Sequence, residues 1–242
     1  MPENSDQSID QATPMTPEQK FFFDLRGWIV LPAVLEPKEI EEMKAEVYGG
    51  ARNSYQGKLQ HLLDHPAIVG VLSEILSEQS FIRNNCYSFR FEGSFTTVRP
   101  PQQANAMRYQ VAGNKIFAGL TRVVWELEEV KKGQGGTSFL NGSHKAHFNY
   151  GGPDDFRPNI SDSPWEEQMR DAMENYSCPA GSVLIFTESL LHAANDWTNP
   201  DNARCAVFNC YNSVWAQWHR LNLSHEKIET MPAKRQSLFR GT

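Results

Sequence analysis

Residues 116–130, IFAGLTRVVWELEEV, form a run of branched and aromatic side chains that reads as β-strand. Upstream of it, Tyr87, Phe89 and Phe91 alternate with Ser88 and Arg90, the period of a strand with one buried face. Downstream, Lys131–Gly136 (KKGQGG) reads as a turn and residues 137–140 (TSFL) as a short strand. Residues 182–187 (SVLIFT) and 204–211 (RCAVFNCY) add two further strands.

The first third has a helical period instead. Thr16-Pro17-Glu18-Gln19 is a capping box with proline at the first helical position, and Gly27 stops the helix that it opens. Trp28–Leu31 reads as a short buried strand. Ile40, Met43 and Val47 share one face of a helix from Pro37 to Gly49-Gly50, and a third helix starts near Pro66 with Ile68, Val69, Leu72, Ile75 and Leu76 inward. Ser163-Pro164-Trp165-Glu166 caps another, and Val214–Leu223 is amphipathic. Helices first, then short strands with loop excursions, predict a mainly β fold with helices. Strands of this length and spacing suit a double-stranded β-helix, a jelly-roll or cupin-like core, with the N-terminal helices packed on one sheet. Residues 1–15 read as a disordered lead and 16–242 as a single domain.

Composition narrows the class of function. The 242 residues carry 23 Lys and Arg against 29 Asp and Glu, a net charge of −6. That balance excludes a nucleic-acid binder held by phosphate contacts and a polybasic membrane anchor. At 40% hydrophobic the chain can bury a sizeable core, yet no apolar run approaches the roughly 20 residues that span a membrane. The first fifteen residues lack the basic and apolar regions of a secretory signal, and four cysteines show no C-x-x-C spacing. A cytoplasmic protein with reduced thiols and a small-molecule partner is the expectation, with oligomeric state open.

The chemistry concentrates in residues 181–204, GSVLIFTESLLHAANDWTNPDNAR. A strand ends at Glu188-Ser189, a turn expected to be exposed carries His192, and Arg204 opens the next strand, which would place both near one rim of a barrel. A neutral imidazole is a good iron or zinc ligand, and a guanidinium can grip a carboxylate in bidentate fashion. On spacing alone the two also read as a loop histidine and a surface arginine.

Leu120–Glu128 followed by Gly135-Gly136-Thr137-Ser138-Phe139-Leu140-Asn141-Gly142-Ser143-His144-Lys145 resembles the phytanoyl-CoA dioxygenase family. That family carries a tryptophan-bearing strand, a glycine turn, a short strand and a P-G-S-H-K signature, here with Asn141 in place of proline. Phe22–Pro32 resembles its opening element and Gly181–Arg204 its distal block, so the resemblance spans roughly residues 16–212. It implies an Fe(II)/2-oxoglutarate-dependent oxygenase that hydroxylates a small organic substrate. By the same resemblance His192 is the distal iron ligand, Arg204 anchors the 2-oxoglutarate C5 carboxylate, and Trp125 lines the cosubstrate pocket or packs in the core. His144 reads as a structural histidine holding the loop after the short strand.

One part of the family pattern is missing. The facial triad needs His-x-Asp or His-x-Glu upstream of the distal histidine. Residues 92–115, EGSFTTVRPPQQANAMRYQVAGNK, contain no histidine, and their one carboxylate is Glu92. Glu92 with His192 is the metal set left to this chain. His61 and His65 read as surface or capping residues, and His147, His219 and His225 carry no motif. The alternative is a catalytically inactive member of the family, a small-acid binding or interaction module with a degenerate metal site. The 146–163 excursion is expected to cover the substrate.

Overall fold

The computed structural model describes residues 12–76, 82–83, 86–87, 89–97, 109–146, 166–214, 221 and 223–239, with backbone alone over 82–97 except for Phe91. In chain order the elements open with α1 (Pro17–Arg26), β1 (Trp28–Leu31), α2 (Pro37–Tyr48) and α3 (Pro66–Ile75). Next come β2 (Ile82–Arg83), β3 (Cys86–Tyr87), β4 (Phe89–Thr97), β5 (Gln110–Ala112), β6 (Lys115–Phe117), β7 (Thr121–Glu126) and β8 (Gly136–Phe139). The rest are α4 (Glu166–Asp171), β9 (Glu174–Asn175), β10 (Ser182–Thr187), β11 (His192–Asn195), β12 (Ala206–Ser213), α5 (His225–Glu229) and α6 (Ala233–Gln236).

The larger sheet has strand order β1-β10-β7-β12-β4, and each neighbouring pair is antiparallel. A smaller sheet runs β11-β8-β9. The period of two along each strand sends alternate side chains to opposite faces. On β7, Val123 and Trp125 join Val183, Ile185 and Val207 in a core covered by α1, α2, α3 and the 3-10 helices at 57–63 and 237–239. Val124 packs on the other face with Trp28, Leu184, Phe186, Ala206 and Phe208, facing Phe139 and Tyr176 of the smaller-sheet side. Phe139 is the hub of this second core. Its ring stacks on Trp28 at 5.3 Å and meets Phe186 at 5.1 Å.

Local signals explain the helix ends. Thr16 accepts from the Gln19 N–H while the Gln19 side chain accepts from the Thr16 N–H, and Pro17 supplies a pre-set φ. Gly27 closes α1 at φ 86°, where any Cβ would come within 2.8 Å of the His144 ring. His65 caps α3, its Nδ1 accepting from the Ala67 N–H at 3.2 Å. His144 donates from Nε2 to the Asp24 carbonyl at 3.1 Å, which ties the turn after β8 to the end of α1.

Three expectations change. The 116–130 run is not one strand: β6 pairs with β5 in a hairpin, Gly119 bends the chain at φ 46°, and β7 begins at Thr121. His192 is not on an exposed turn but opens β11, half-buried opposite Phe139. Met15, placed in the lead by the sequence, is buried, and its N–H donates to Glu74 at 2.7 Å. The 146–163 excursion, Trp165 and most of the 214–223 stretch lie outside the described residues. No helix among the described residues is long and apolar enough to cross a membrane.

Truncating the hub should be costly. Phe139→Leu is expected to lose about 1–2 kcal/mol and Phe139→Ala about 3–5 kcal/mol, read as a shift of the urea midpoint. The buried His144 and the half-buried His65 predict acid sensitivity. Burial holds both His65 and His144 below the ordinary 6.5. The folded chain therefore favours the neutral rings, and a proton would abolish the His65 cap and leave an unmatched donor at His144 Nδ1. This stability is complete above the ordinary value and is lost as pH falls through it toward the lowered folded value. The melting temperature should fall between about pH 7 and about pH 5. His65→Asn, which retains a capping acceptor, should flatten part of that fall.

Candidate functional site

The face of β7 that looks between the sheets carries a charge at each end. Arg122 and Glu126 share the parity of Val124, and the antiparallel register sets Arg122 between Phe186 and Cys210 and Glu126 between Ser182 and Ala206. Four residues of strand separate them by roughly 13 Å.

At the Glu126 end the site is sealed. Arg204 precedes β12 and is held by the bond from the Leu127 N–H to the Cys205 carbonyl at 2.8 Å. Its guanidinium forks onto Glu126, one nitrogen on each carboxylate oxygen, with the Nε contact at 3.3 Å. Tyr176 donates to the same carboxylate at 2.5 Å and accepts from Arg204 at 3.1 Å. The Arg204 and Glu126 side chains are 2% and 0% exposed. Burial works to lower the Arg204 pKa, but Glu126 and Tyr176 outweigh it and hold the guanidinium above its ordinary value. Burial and then Glu126 push the Tyr176 hydroxyl well up, so it stays protonated.

At the other end, Glu188 receives Arg122 through Nε and Nη2, both at 2.5 Å. Burial opposes the Arg122 charge, and Cys210 and Glu188 more than offset it. His192 Nδ1 lies 2.7 Å from the Leu190 carbonyl. A carbonyl only accepts, so Nδ1 carries a proton, and in the neutral ring Nε2 is the nitrogen with the lone pair. Nε2 stands 3.9 Å from Glu188 Oε2, a buried oxygen with no hydrogen-bond partner among the described residues. The remaining flank is aromatic, with Phe186 at 4.9 Å from the His192 ring.

His192 and Arg204 thus sit at opposite ends of β7 rather than at one rim, because Arg204 bonds to Glu126 and His192 neighbours the carboxylate that holds Arg122. Trp125 lies on the helix-covered face, ring-to-ring with His65 at 5.2 Å. Its odd position in β7 separates it from Arg122, Val124 and Glu126 by the sheet itself. Glu92 is the extra residue of a bulge: Cys210 pairs with Gly93 and Tyr211 with Phe91, and its side chain lies outside the described residues. His61 is exposed, and His147 and His219 also lie outside the described residues. The sequence reading missed Arg122, Glu126, Tyr176 and Glu188. The parity of Arg122 and Glu126 about Val124 was the available signal, and it needed the strand bounds to be read.

The donors among the described residues do not fit an iron(II) centre of the oxygenase type. Among the described residues no group of three His, Cys, Asp or Glu side chains could hold a metal ion. His192 has, among the described residues, one carboxylate near it, Glu188, and Arg122 already engages that carboxylate. A 2-oxoglutarate anchor at Arg204 meets the same difficulty, since Glu126 holds the guanidinium.

The sequence profile of phytanoyl-CoA dioxygenase (PhyH) matches residues 50–205. Among curated proteins no sequence matches the chain. HygX from Streptomyces hygroscopicus, solved with nickel and 2-oxoglutarate bound, superposes with TM-score 0.65 at 15% identity over 88% of this chain and 93% of its own. The carbocyclase SnoK from nogalamycin biosynthesis, an α-ketoglutarate-dependent non-heme enzyme, gives 0.57 at 17% identity over 81% and 83%. The epimerase SnoN, solved with Fe3+, α-ketoglutarate and nogalamycin RO, gives 0.56 at 15% over 84% and 86%. At these identities the likeness is one of fold, a mixed helix and antiparallel-sheet architecture shared with iron/2-oxoglutarate enzymes. The profile match covers well over half of the sequence, and on that ground the chain belongs to the phytanoyl-CoA dioxygenase family.

Proposed function

We propose that this chain is an oxygenase-family barrel that binds a small organic molecule without iron-dependent turnover. Its core is read as a double-stranded β-helix, with β1-β10-β7-β12-β4 and β11-β8-β9 as the two walls and the N-terminal helices on the outer face of the first. The observation that carries the reading is the state of His192. Among the described residues it faces a single carboxylate, Glu188, which Arg122 engages, and residues 92–115 hold no histidine. Divalent metals on one imidazole and one shared carboxylate are held poorly, since such sites draw their affinity from several ligands together. The small-molecule partner is supported by the solved neighbours, since HygX binds hygromycin B and SnoN binds nogalamycin RO. We place the protein in the cytoplasm, where the buried thiols Cys178, Cys205 and Cys210 stay reduced.

A second reading is the oxygenase itself, favoured by the hydrogen bond from His192 Nδ1 to the Leu190 carbonyl, which leaves Nε2 facing Glu188 Oε2. There His192 with Glu92 would hold Fe(II), Arg204 would take 2-oxoglutarate, and the bound iron would supply oxidative hydroxylation of a small substrate.

Anaerobic titration with Fe(II) and 2-oxoglutarate separates the two. The proposed reading expects no visible charge-transfer band, no thermal shift from iron and no succinate on admitting dioxygen. A resident ligand at a hundred times its Kd would stabilise by about 2.7 kcal/mol, easily seen in the melting temperature. Appearance of the band, lost in His192→Ala, would establish the oxygenase.

A further inference from the structure

Glu126 is arranged as a bound ligand would be. Its carboxylate takes both arms of a buried guanidinium and the hydroxyl of a buried tyrosine, three donors on one group. Its neighbours across both ladders are Ser182 and Ala206, two small side chains, so the room around its own side chain is not filled from the flanks. Shortening Glu126 would leave a hole walled by Arg204, Tyr176, Ser182 and Ala206 rather than a collapsed core. Arg122, at the other end of the same face, is likewise engaged by a carboxylate.

We infer that Glu126 is the resident carboxylate of an acid-binding place at Arg204, and that it makes the native barrel select uncharged ligands over carboxylic acids. The inference rests on the small-molecule binding proposed above, with the ligand taken between the two sheets. The reasoning is competition. A carboxylate fixed to β7 meets Arg204 at an effective concentration that a free acid must exceed, and unlike the free acid it loses no translational freedom on binding. A dicarboxylic 2-oxo acid would also have to leave Glu126 buried and unpaired on arrival. Removing the side chain reverses the preference. Glu126→Ala deletes one methylene and one carboxylate, the atoms of acetate, and leaves Arg204 and Tyr176 facing the space.

Thermal melts with acetate present throughout test this, with chloride at equal ionic strength and acetamide as the uncharged isostere. Glu126→Ala is expected to be strongly destabilised, and acetate should raise its melting temperature by about 3 °C or more at roughly 100 mM, in a concentration-dependent way. Acetamide and chloride should not, and neither the native chain nor Glu126→Gln, whose amide fills the place, should respond to acetate. The native chain should also ignore glutarate and 2-oxoglutarate. A folded Glu126→Ala that acetate does not stabilise overturns the inference. So does a native shift with 2-oxoglutarate that Arg204→Lys abolishes. If Glu126→Ala does not fold in buffer, refolding from urea should recover a cooperative transition in acetate alone, and failure to do so while Glu126→Gln folds overturns it equally. Acetate rescue reads the Arg204 place directly, whereas the iron titration reads turnover, so the two ideas fail separately.

Discussion

Taking a guanidinium and a carboxylate out of water is unfavourable by several kcal/mol for each ion. Arg204 and Glu126 are both sealed from solvent, so their mutual bonds and the Tyr176 hydroxyl must offset that whole cost. The requirement reaches across the fold. Glu126 must end β7, Arg204 must arrive just before β12, and Tyr176 must follow β9 to close the third side. Slipping β7 by one residue would put Glu126 among the helices and Trp125 against the arginine. The register of the larger sheet and the docking of the smaller sheet are therefore tied through one carboxylate.

Much of the fold was legible from local chemistry. The Thr16 capping box, the Gly27 stop, the Pro37 and Pro66 starts and the SVLIFT strand depend on residues within a few positions of each other. The break in 116–130 was not legible, because Gly119 sits in a run whose composition is otherwise uniformly β-type. The site was less legible still. His192 and Arg204 lie only twelve residues apart. Their separation in space follows from partners that come from distant parts of the chain: Glu126 for one, and Glu188 with its own partner Arg122 for the other. Which face Trp125 takes depends on strand bounds to within one residue, the precision that pattern reading has least of.

Fold and chemistry can separate for a physical reason. The family architecture needs apolar alternation, glycine turns and a few structural bonds such as that of His144 to the Asp24 carbonyl. Such features are present among the described residues. A metal centre needs three donors converging within a few ångströms, and a change on a single strand can remove that convergence without disturbing the packing. The interior here is instead charge-balanced, an ion pair at each end and the aromatic hub around Phe139 between them.

Cys205 follows Arg204 directly, and the Cys178 amide and carbonyl pair with Val130 beside the sealed end. Both thiols are buried, and burial pushes each up to about 12. In the closed molecule they are poor nucleophiles and inaccessible to oxidants. Any modification they acquire must pass through an opened form, so their rate of loss would count the excursions in which that end of the barrel comes apart. The ion pair is thereby provided with its own reporters, two silent sulfurs whose reactivity registers each time the charges meet water.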